Sequence, residues 1–376
     1  MTQFARTRRT WTLVVGLVLA CGLTVGVSAC GGGGSSSSGS SGGSATSEGS
    51  TGSEKYTVYL DINGTFNQFR TQMKNIAEYA AANPPLGEKL DFHWVTSPED
   101  LAGQTTDVNN IIAKHPDALI LNAASSTGLN AEVERACEEG ILVVSFDGTV
   151  TADCAYKVTR PLEESMDLVA TYLGEQIGGK GEVVIDKGLV GNTVADESYA
   201  GYVKGFEKYP GISVAGTVES GFNPGELKSQ LAPILAAHPD VKAIVSVVII
   251  KPAIQALEAA GLEPQEQGSA TISNEDTAEC RRVKVKCVVA PVPPYISAEA
   301  MKLTVELLEG KADKEEKTVV VEPPYIFTEA PPKSVPGFTG AKFEEAQPVP
   351  NVSGELTLPV APEWLNITPQ QAFSGA

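Results

Sequence analysis

The sequence predicts an α/β protein made of two doubly wound parallel-sheet lobes, and three observations carry that expectation. From Lys55 onward short apolar runs alternate with stretches of helical periodicity, the sequence form of βαβ units. The alternation completes one lobe and then restarts. The two halves also share wording: IIAKHPDALIL (111–121) matches ILAAHPDVKAIV (234–245), each joining a helix end to a strand through His-Pro-Asp. A repeat of that length is too long for a solenoid unit and suits two similar lobes. The alternative is that His-Pro-Asp is simply a good helix stop used twice.

In the first half, YTVYLDI (56–62) is a strand, and Phe69, Met73, Ile76, Ala77 and Ala80 then recur at three- and four-residue spacing on a helix. LDFHWV (90–95) is strand-like and leads to a helix through Leu101, Val108, Ile111 and Ile112. ALILNA (118–123) is a strand, a helix covers about 130–139, and ILVVSF (141–146) is the next strand. In the second half, helices are expected at about 162–178, 195–208, 225–237 and 252–260. The strands between them are GEVVIDKG (181–188), ISVAGTV (212–218), AIVSVV (243–248) and ATIS (270–273). A strand over 285–292, a helix at about 296–309 and the strand KTVVVEP (317–323) follow. The Pro-rich remainder (331–376) shows no periodicity and is expected to wrap over the surface.

At 376 residues the chain is long enough for two to three domains with a sizeable core. The formal net charge is −18, and the three arginines Arg6, Arg8 and Arg9 lie in a start that carries no acid, so the body is more acidic still. Such a surface repels phosphate backbones and argues against a nucleic-acid partner. His93, His115 and His238 lie far apart in the sequence, which argues against a His-rich zinc site, and neither a metal nor a cofactor is expected.

Residues 1–30 have the form of an export signal: the basic start, an apolar run from Trp11 through Val27, then small residues before Cys30. The run is also near the length that spans a bilayer, so an uncleaved anchor is the alternative. Residues 31–54 are Gly/Ser-rich with nothing apolar to bury, a flexible leash spanning roughly 25–30 Å. Cys21 falls in the signal, leaving Cys137, Cys154, Cys280 and Cys287, an even number for an oxidising compartment. Local pairing, Cys137 with Cys154 and Cys280 with Cys287, is the simplest connectivity; four free buried thiols are the alternative.

The tetrad Val27-Ser28-Ala29-Cys30 resembles the bacterial lipobox, which implies diacylation of Cys30 and a body tethered outside the cytoplasm. Two acyl anchors suffice for stable membrane attachment. Residues 55–325 resemble the type I solute-binding proteins of bacterial ABC importers, in the ribose and simple-sugar branch. FNQFRTQM (66–73) is similar to that family's Asn-x-aromatic-Arg-x-x-Met variant. DALILNAASS (117–126) and GILVVSFDG (140–148) resemble its strand-and-turn segments, and KYPGISVAG (208–216) and PAIQALEAAG (252–261) those of its second lobe. The resemblance implies a first lobe of 55–157 plus 295–318, a second of 158–294 plus 319–330, and a three-strand hinge between them. It further implies a small-molecule guest, a sugar or sugar-like solute, an ABC permease as partner, a monomeric state and no enzymatic activity. A lipoprotein that presents its closed form to a membrane receptor is the alternative function.

In open α/β sheets a ligand sits beyond the carboxyl ends of the strands. There the first lobe offers Asn67 and Arg70 as donors, Phe66 and Phe69 as stacking faces, Asn122 and Ser125 at a turn, and Asp147 as acceptor. Each has a plainer reading: Asn67 as a helix cap, either Phe as core, Asp147 as a turn residue before Gly148, Arg70 as half of a surface ion pair. The second lobe departs from the ribose branch. Tyr202 stands where that branch has Arg, and SVVIIK (246–251) replaces an Asn-Asp pair with apolar residues. Asn192, Tyr199, Tyr202, Phe222, Asn223, Lys251 and Glu275 or Asp276 remain as its expected ligand residues.

Overall fold

The computed structural model describes residues 55–65, 67–322, 325–328, 342–344 and 348–375. The signal-like start, Cys30 with its expected lipidation, the Gly/Ser-rich segment, Phe66 and most of 329–347 lie outside the described residues. Among those described, no helix is long and apolar enough to cross a membrane.

The first lobe is built on β1 (Tyr56–Asn63), whose last six residues are buried. α1 (Gln68–Ala82) follows, with Met73, Ile76, Ala77 and Ala80 on its buried face as the spacing predicts. Next come β2 (Leu90–Ser97), α2 (Leu101–Ile112), β3 (Ala118–Asn122), α3 (Asn130–Glu138), β4 (Leu142–Phe146) and β5 (Tyr156–Thr159). The chain then enters the second lobe with α4 (Leu162–Gln176), β6 (Lys180–Asp186), α5 (Thr193–Glu207), β7 (Gly211–Val218), α6 (Pro224–Ala237), β8 (Val241–Ser246) and α7 (Lys251–Ala259). After β9 (Glu266–Ser269), β10 (Ile272–Ser273), α8 (Asn274–Val283) and β11 (Cys287–Val289) it returns to the first lobe. There α9 (Ile296–Leu308) packs on β3, β4 and β5, and β12 (Thr318–Val320) pairs with β5. β13 (Tyr325–Thr328) and β14 (Lys342–Glu344) join the second sheet.

The strand orders are β12-β5-β4-β3-β1-β2 and β14-β13-β11-β9-β8-β6-β7. Pairing in both sheets is parallel, apart from β11 with β13. The His-Pro-Asp repeat occupies equivalent places, leading into β3 beside β1 and into β8 beside β6. At the first copy the motif also ties the sheet edge, because the Asp117 carboxylate accepts from the Thr57 N–H at 2.8 Å. In the second lobe α4 and α5 pack backbone to backbone. A Cβ at Gly201 or Gly205 would strike the carbonyl oxygens of Glu163 or Asp167, so only glycine permits that approach.

Three expectations are corrected. The segment 285–292 is a strand only over Cys287–Val289. The sheet strand before it is Glu266–Ser269, hidden by its polar composition, while Ile272–Ser273 of the expected ATIS strand pairs elsewhere. The C-terminal residues are structured. β15 (Thr357–Leu358) pairs antiparallel with β10, and α10 (Pro369–Ser374) packs on α1. Leu356 and Leu358 enter a core of the second lobe, whereas Leu365, Ile367 and Ala372 enter that of the first. Residues 348–375 therefore form a strap fastened to both lobes.

Cys137–Cys154 and Cys280–Cys287 are disulfide-bonded. The first closes a loop of 17 residues between the end of α3 and the approach to β5. Cross-linking a loop of that size removes unfolded-state entropy worth about 3 kcal/mol. The double variant C137S/C154S is expected to lose that amount in urea unfolding, and an unchanged midpoint would refute the assignment.

Candidate functional site

Loops at the carboxyl ends of both sheets enclose a cavity of about 380 Å³. The first lobe contributes Asn67, Phe69, Arg70 and Asp147; the second contributes Phe222, Val247, Val248, Ile249, Thr271 and Val292 among others. The strap adds Glu355 and Thr357. Such a volume and mixed lining suit a small organic solute.

Asp147 organises the deep end. It follows the buried strand β4 and takes a left-handed conformation, φ 57°, that Asp tolerates better than most residues. The turn is held where the Ala123 N–H donates to the Gly148 carbonyl at 2.7 Å. Two guanidiniums flank the carboxylate: Arg160 donates through Nη2 to Oδ1, and Arg70 Nη2 lies 3.8 Å from Oδ2. Asn122 bridges, accepting from Arg70 Nη1 at 2.5 Å and donating to Asp147 Oδ2 at 3.0 Å. All four side chains are 5% exposed or less. Burial pushes both guanidinium pKa values down and the Asp147 charge pulls them back up, so the cluster is held together by the carboxylate.

A second buried network braces this one from behind. The Asp61 carboxylate accepts from Ser97 Oγ at 2.5 Å and Gln104 Nε2 at 2.8 Å, and Gln104 Nε2 also donates to the Asn122 carbonyl at 2.9 Å. Burial pushes the Asp61 carboxyl up to about 6, against the pull of those donors. Folding therefore takes up a proton at this group between its unfolded value and about 6. Its stabilising contribution is full below about pH 4 and lost as pH rises through 6. Two pH units correspond to about 3 kcal/mol. The variant D61N, whose amide can serve the same two partners, is expected to lack this share of the fall in unfolding free energy between pH 4.5 and 7. An identical pH slope in variant and wild type would refute it.

Several expected ligand residues line the cavity. Asn67 both caps α1, accepting from the Arg70 N–H at 3.0 Å, and donates across the cleft to the Phe222 carbonyl at 3.2 Å. Phe69 is half-buried and touches the cores of both lobes. Phe222 takes φ 62° at the cavity wall, and Glu275 is paired with Lys251 at 2.7 Å beside it.

Others do not line it. Asn122 acts through Arg70 and Asp147. Ser125 caps its own turn, accepting from the Gly128 N–H at 3.1 Å. Asn192 caps α5 and donates to the Ala123 carbonyl in the opposite lobe at 3.4 Å. Tyr202 is fully buried, with its hydroxyl donating to the Ser246 carbonyl at 2.6 Å. Asn223 is spent as the cap of α6. Asp276 completes the capping box of α8 and accepts from the Lys251 N–H at 2.8 Å; burial pushes its carboxyl up to about 6.

Sequence reasoning missed Arg160, Thr271, Glu355 and Thr357. Only Arg160 left a signal, a single charge in the crossing segment between β5 and α4. The apolar replacement in SVVIIK becomes one wall of the cavity, formed by Val247, Val248 and Ile249. Among the described residues no group of acids, His or Cys is placed to hold a metal ion.

Comparison with known proteins agrees with this architecture. A D-ribose/D-allose-binding protein of Pseudomonas aeruginosa is 24% identical over 292 residues, covering 74% of this chain and 90% of its own. A ribose import binding protein of Bacillus subtilis is 23% identical, covering 72% and 87%. Among solved structures, an ABC transporter solute binding protein from Thermobispora bispora matches with a TM-score of 0.65 at 24% identity, covering 71% of this chain and 83% of its own. One from Actinobacillus succinogenes with bound D-allose matches with a TM-score of 0.62 at 20% identity, covering 72% and 96%. Residues 58–312 match the model of the periplasmic binding protein domain, and the chain belongs to that family.

Proposed function

We propose that this protein captures a small polyhydroxylated solute, a sugar or sugar-like molecule, in the cleft between its lobes and hands it to an ABC permease. In this reading it works outside the cytoplasm, moored through lipid at Cys30 and the Gly/Ser leash. The observation that carries the proposal is the Arg70–Asn122–Asp147 cluster at the floor of a two-walled cavity. A carboxylate and a guanidinium side by side accept from and donate to adjacent hydroxyls, while Phe69 and Phe222 offer faces to the C–H surface of a ring. The ribose- and allose-binding relatives support the same class of guest.

Capture requires that the guest bind the closed lobes better than the open ones, since equal affinity would shift nothing. Small-angle scattering of the purified body with D-ribose, D-allose or xylitol is expected to show a smaller radius of gyration with the solute that binds. Binding without compaction would count against the proposal. Lipid attachment is tested separately: the wild-type protein is expected to incorporate labelled fatty acid and C30A to incorporate none, and equal labelling of the two would refute it.

A further inference from the structure

The family match ends at residue 312, yet the cavity is completed by residues beyond it. In the second lobe's wall Val247 to Ile249 carry no polar side chain, Lys251 and Glu275 are paired with each other, and Thr271 Oγ1 donates to the Val247 carbonyl at 3.3 Å, which leaves Gln255 as that lobe's remaining polar group at the cavity. An apolar stretch discriminates weakly between solutes that differ by one hydroxyl. The strap supplies polar groups on that side. Thr357 is held from both lobes: it pairs with Ser273 in the β10–β15 ladder, its N–H donates to Gln72 Oε1 at 2.9 Å, and its carbonyl accepts from Gln72 Nε2 at 2.8 Å. With the backbone so fixed and the residue 2% exposed, Thr357 Oγ1 has no hydrogen-bond partner among the described residues. Glu355 also lines the cavity but is exposed, so its carboxylate is open to water as well as to a guest. The strap is anchored on either side of these residues. Asn274 holds Val349 through both its side-chain oxygen and its amide, and the Glu275 N–H donates to the Gly354 carbonyl at 2.7 Å. Beyond them Trp364 Nε1 donates to Glu299 at 2.8 Å, and Asn75 donates to the Phe373 carbonyl at 2.8 Å.

We propose that the C-terminal strap is part of the binding site, and that Thr357 Oγ1 and the Glu355 carboxylate select the guest by engaging one of its hydroxyls. The inference rests on the reading of the protein as a binder of a polyhydroxylated solute. A fixed polar atom facing a closed cleft penalises a guest that leaves it without a partner, which is how a hydroxyl-reading site rejects a deoxy analogue.

The test is isothermal titration calorimetry on the full chain with D-ribose, D-allose, D-arabinose, xylitol and the monodeoxy derivatives of the sugars. Wild type is compared with T357V, which keeps shape and strand preference, with E355Q, and with D147N as a first-lobe control. We expect T357V to weaken the best-bound solute roughly tenfold and E355Q about fivefold, with unliganded melting unchanged. One monodeoxy derivative should bind wild type and T357V equally, so that the rank order of the panel changes. If wild type binds the panel, D147N loses it, and both strap variants bind every solute within twofold of wild type, the inference falls and the functional reading stands. A uniform loss across the panel with no deoxy derivative spared makes the strap a brace and also overturns the inference. If wild type binds nothing in the panel, the functional reading falls and takes the inference with it.

Discussion

Replacing Asp147 by Asn is expected to cost the unliganded protein about 3–5 kcal/mol and to abolish solute binding. The backbone is not the cause, because Asn accepts the left-handed conformation at φ 57° as readily as Asp. The change removes a charge and little else. It leaves the buried guanidiniums of Arg70 and Arg160 without the carboxylate that does most to compensate them, with only the more distant charge of Glu197 still favouring Arg160's charged form and Arg70 opposing it. Among the described residues Nε and Nη1 of Arg160 have no hydrogen-bond partner, so Asp147 is the main return on burying that side chain. Because the cluster is shielded from solvent, salt should not rescue the variant. Adding R160M to D147N should recover part of the loss, since removing both members of a buried pair is milder than removing one. Urea unfolding of the two single variants and the double variant measures all three terms. A loss under 1 kcal/mol for D147N, or no recovery with R160M, would show that the cluster is not held by this charge.

The lobes were legible because their inner strands are buried on both faces and their helices keep a three- and four-residue apolar spacing. β1, α1, β3 and β4 fall within a residue or two of expectation for that reason. β9 was not legible: Glu266-Gln267-Gly268-Ser269 has no apolar side chain, and it is a strand because neighbours on both sides impose the pairing. The site divided along a different line. Asn67, Asn192 and Asn223 all stand just before a helix, and all three turn out to be N-caps; only at Asn67 does the same side chain also face the cavity. A polar residue ahead of a helix satisfies orphan N–H groups whether or not a guest exists, so residue type alone does not separate the two roles. Tyr202 shows the converse. Its place on the buried face of α5, in step with Ser198, Gly205 and Phe206, commits it to the core, where its hydroxyl needs a carbonyl.

Deleting the chain from residue 348 onward is expected to have the largest effect on stability of any change considered. The strap was not legible as structure because its one alternating stretch, Leu356-Thr357-Leu358-Pro359-Val360, is short and broken by Pro, and its other apolar residues are single and show no period of 3.6. Yet Leu356, Leu358, Leu365 and Ile367 are each 7% exposed or less. They close two different cores, the first pair against Ile250, Ile254 and Ile272, the second in the cluster that holds Met73, Ile76 and Met301. At about 1.5–3 kcal/mol for each aliphatic side chain taken out of water, the four contribute at least roughly 6 kcal/mol, comparable to the whole stability of a typical domain. Truncation also frees Gln72, one of the buried polar side chains of α1, from both its hydrogen bonds. The truncated chain should therefore melt more than about 10 °C below the full chain in calorimetry. The loss should extend to both lobes, because the strap fastens one through β10 and the other through α1. The single variants L356A and L365A separate the two attachments, each costing about 2–5 kcal/mol if its core is closed as described. A truncated chain melting within 3 °C of the full one would mean that the strap rests on the lobes without sealing them.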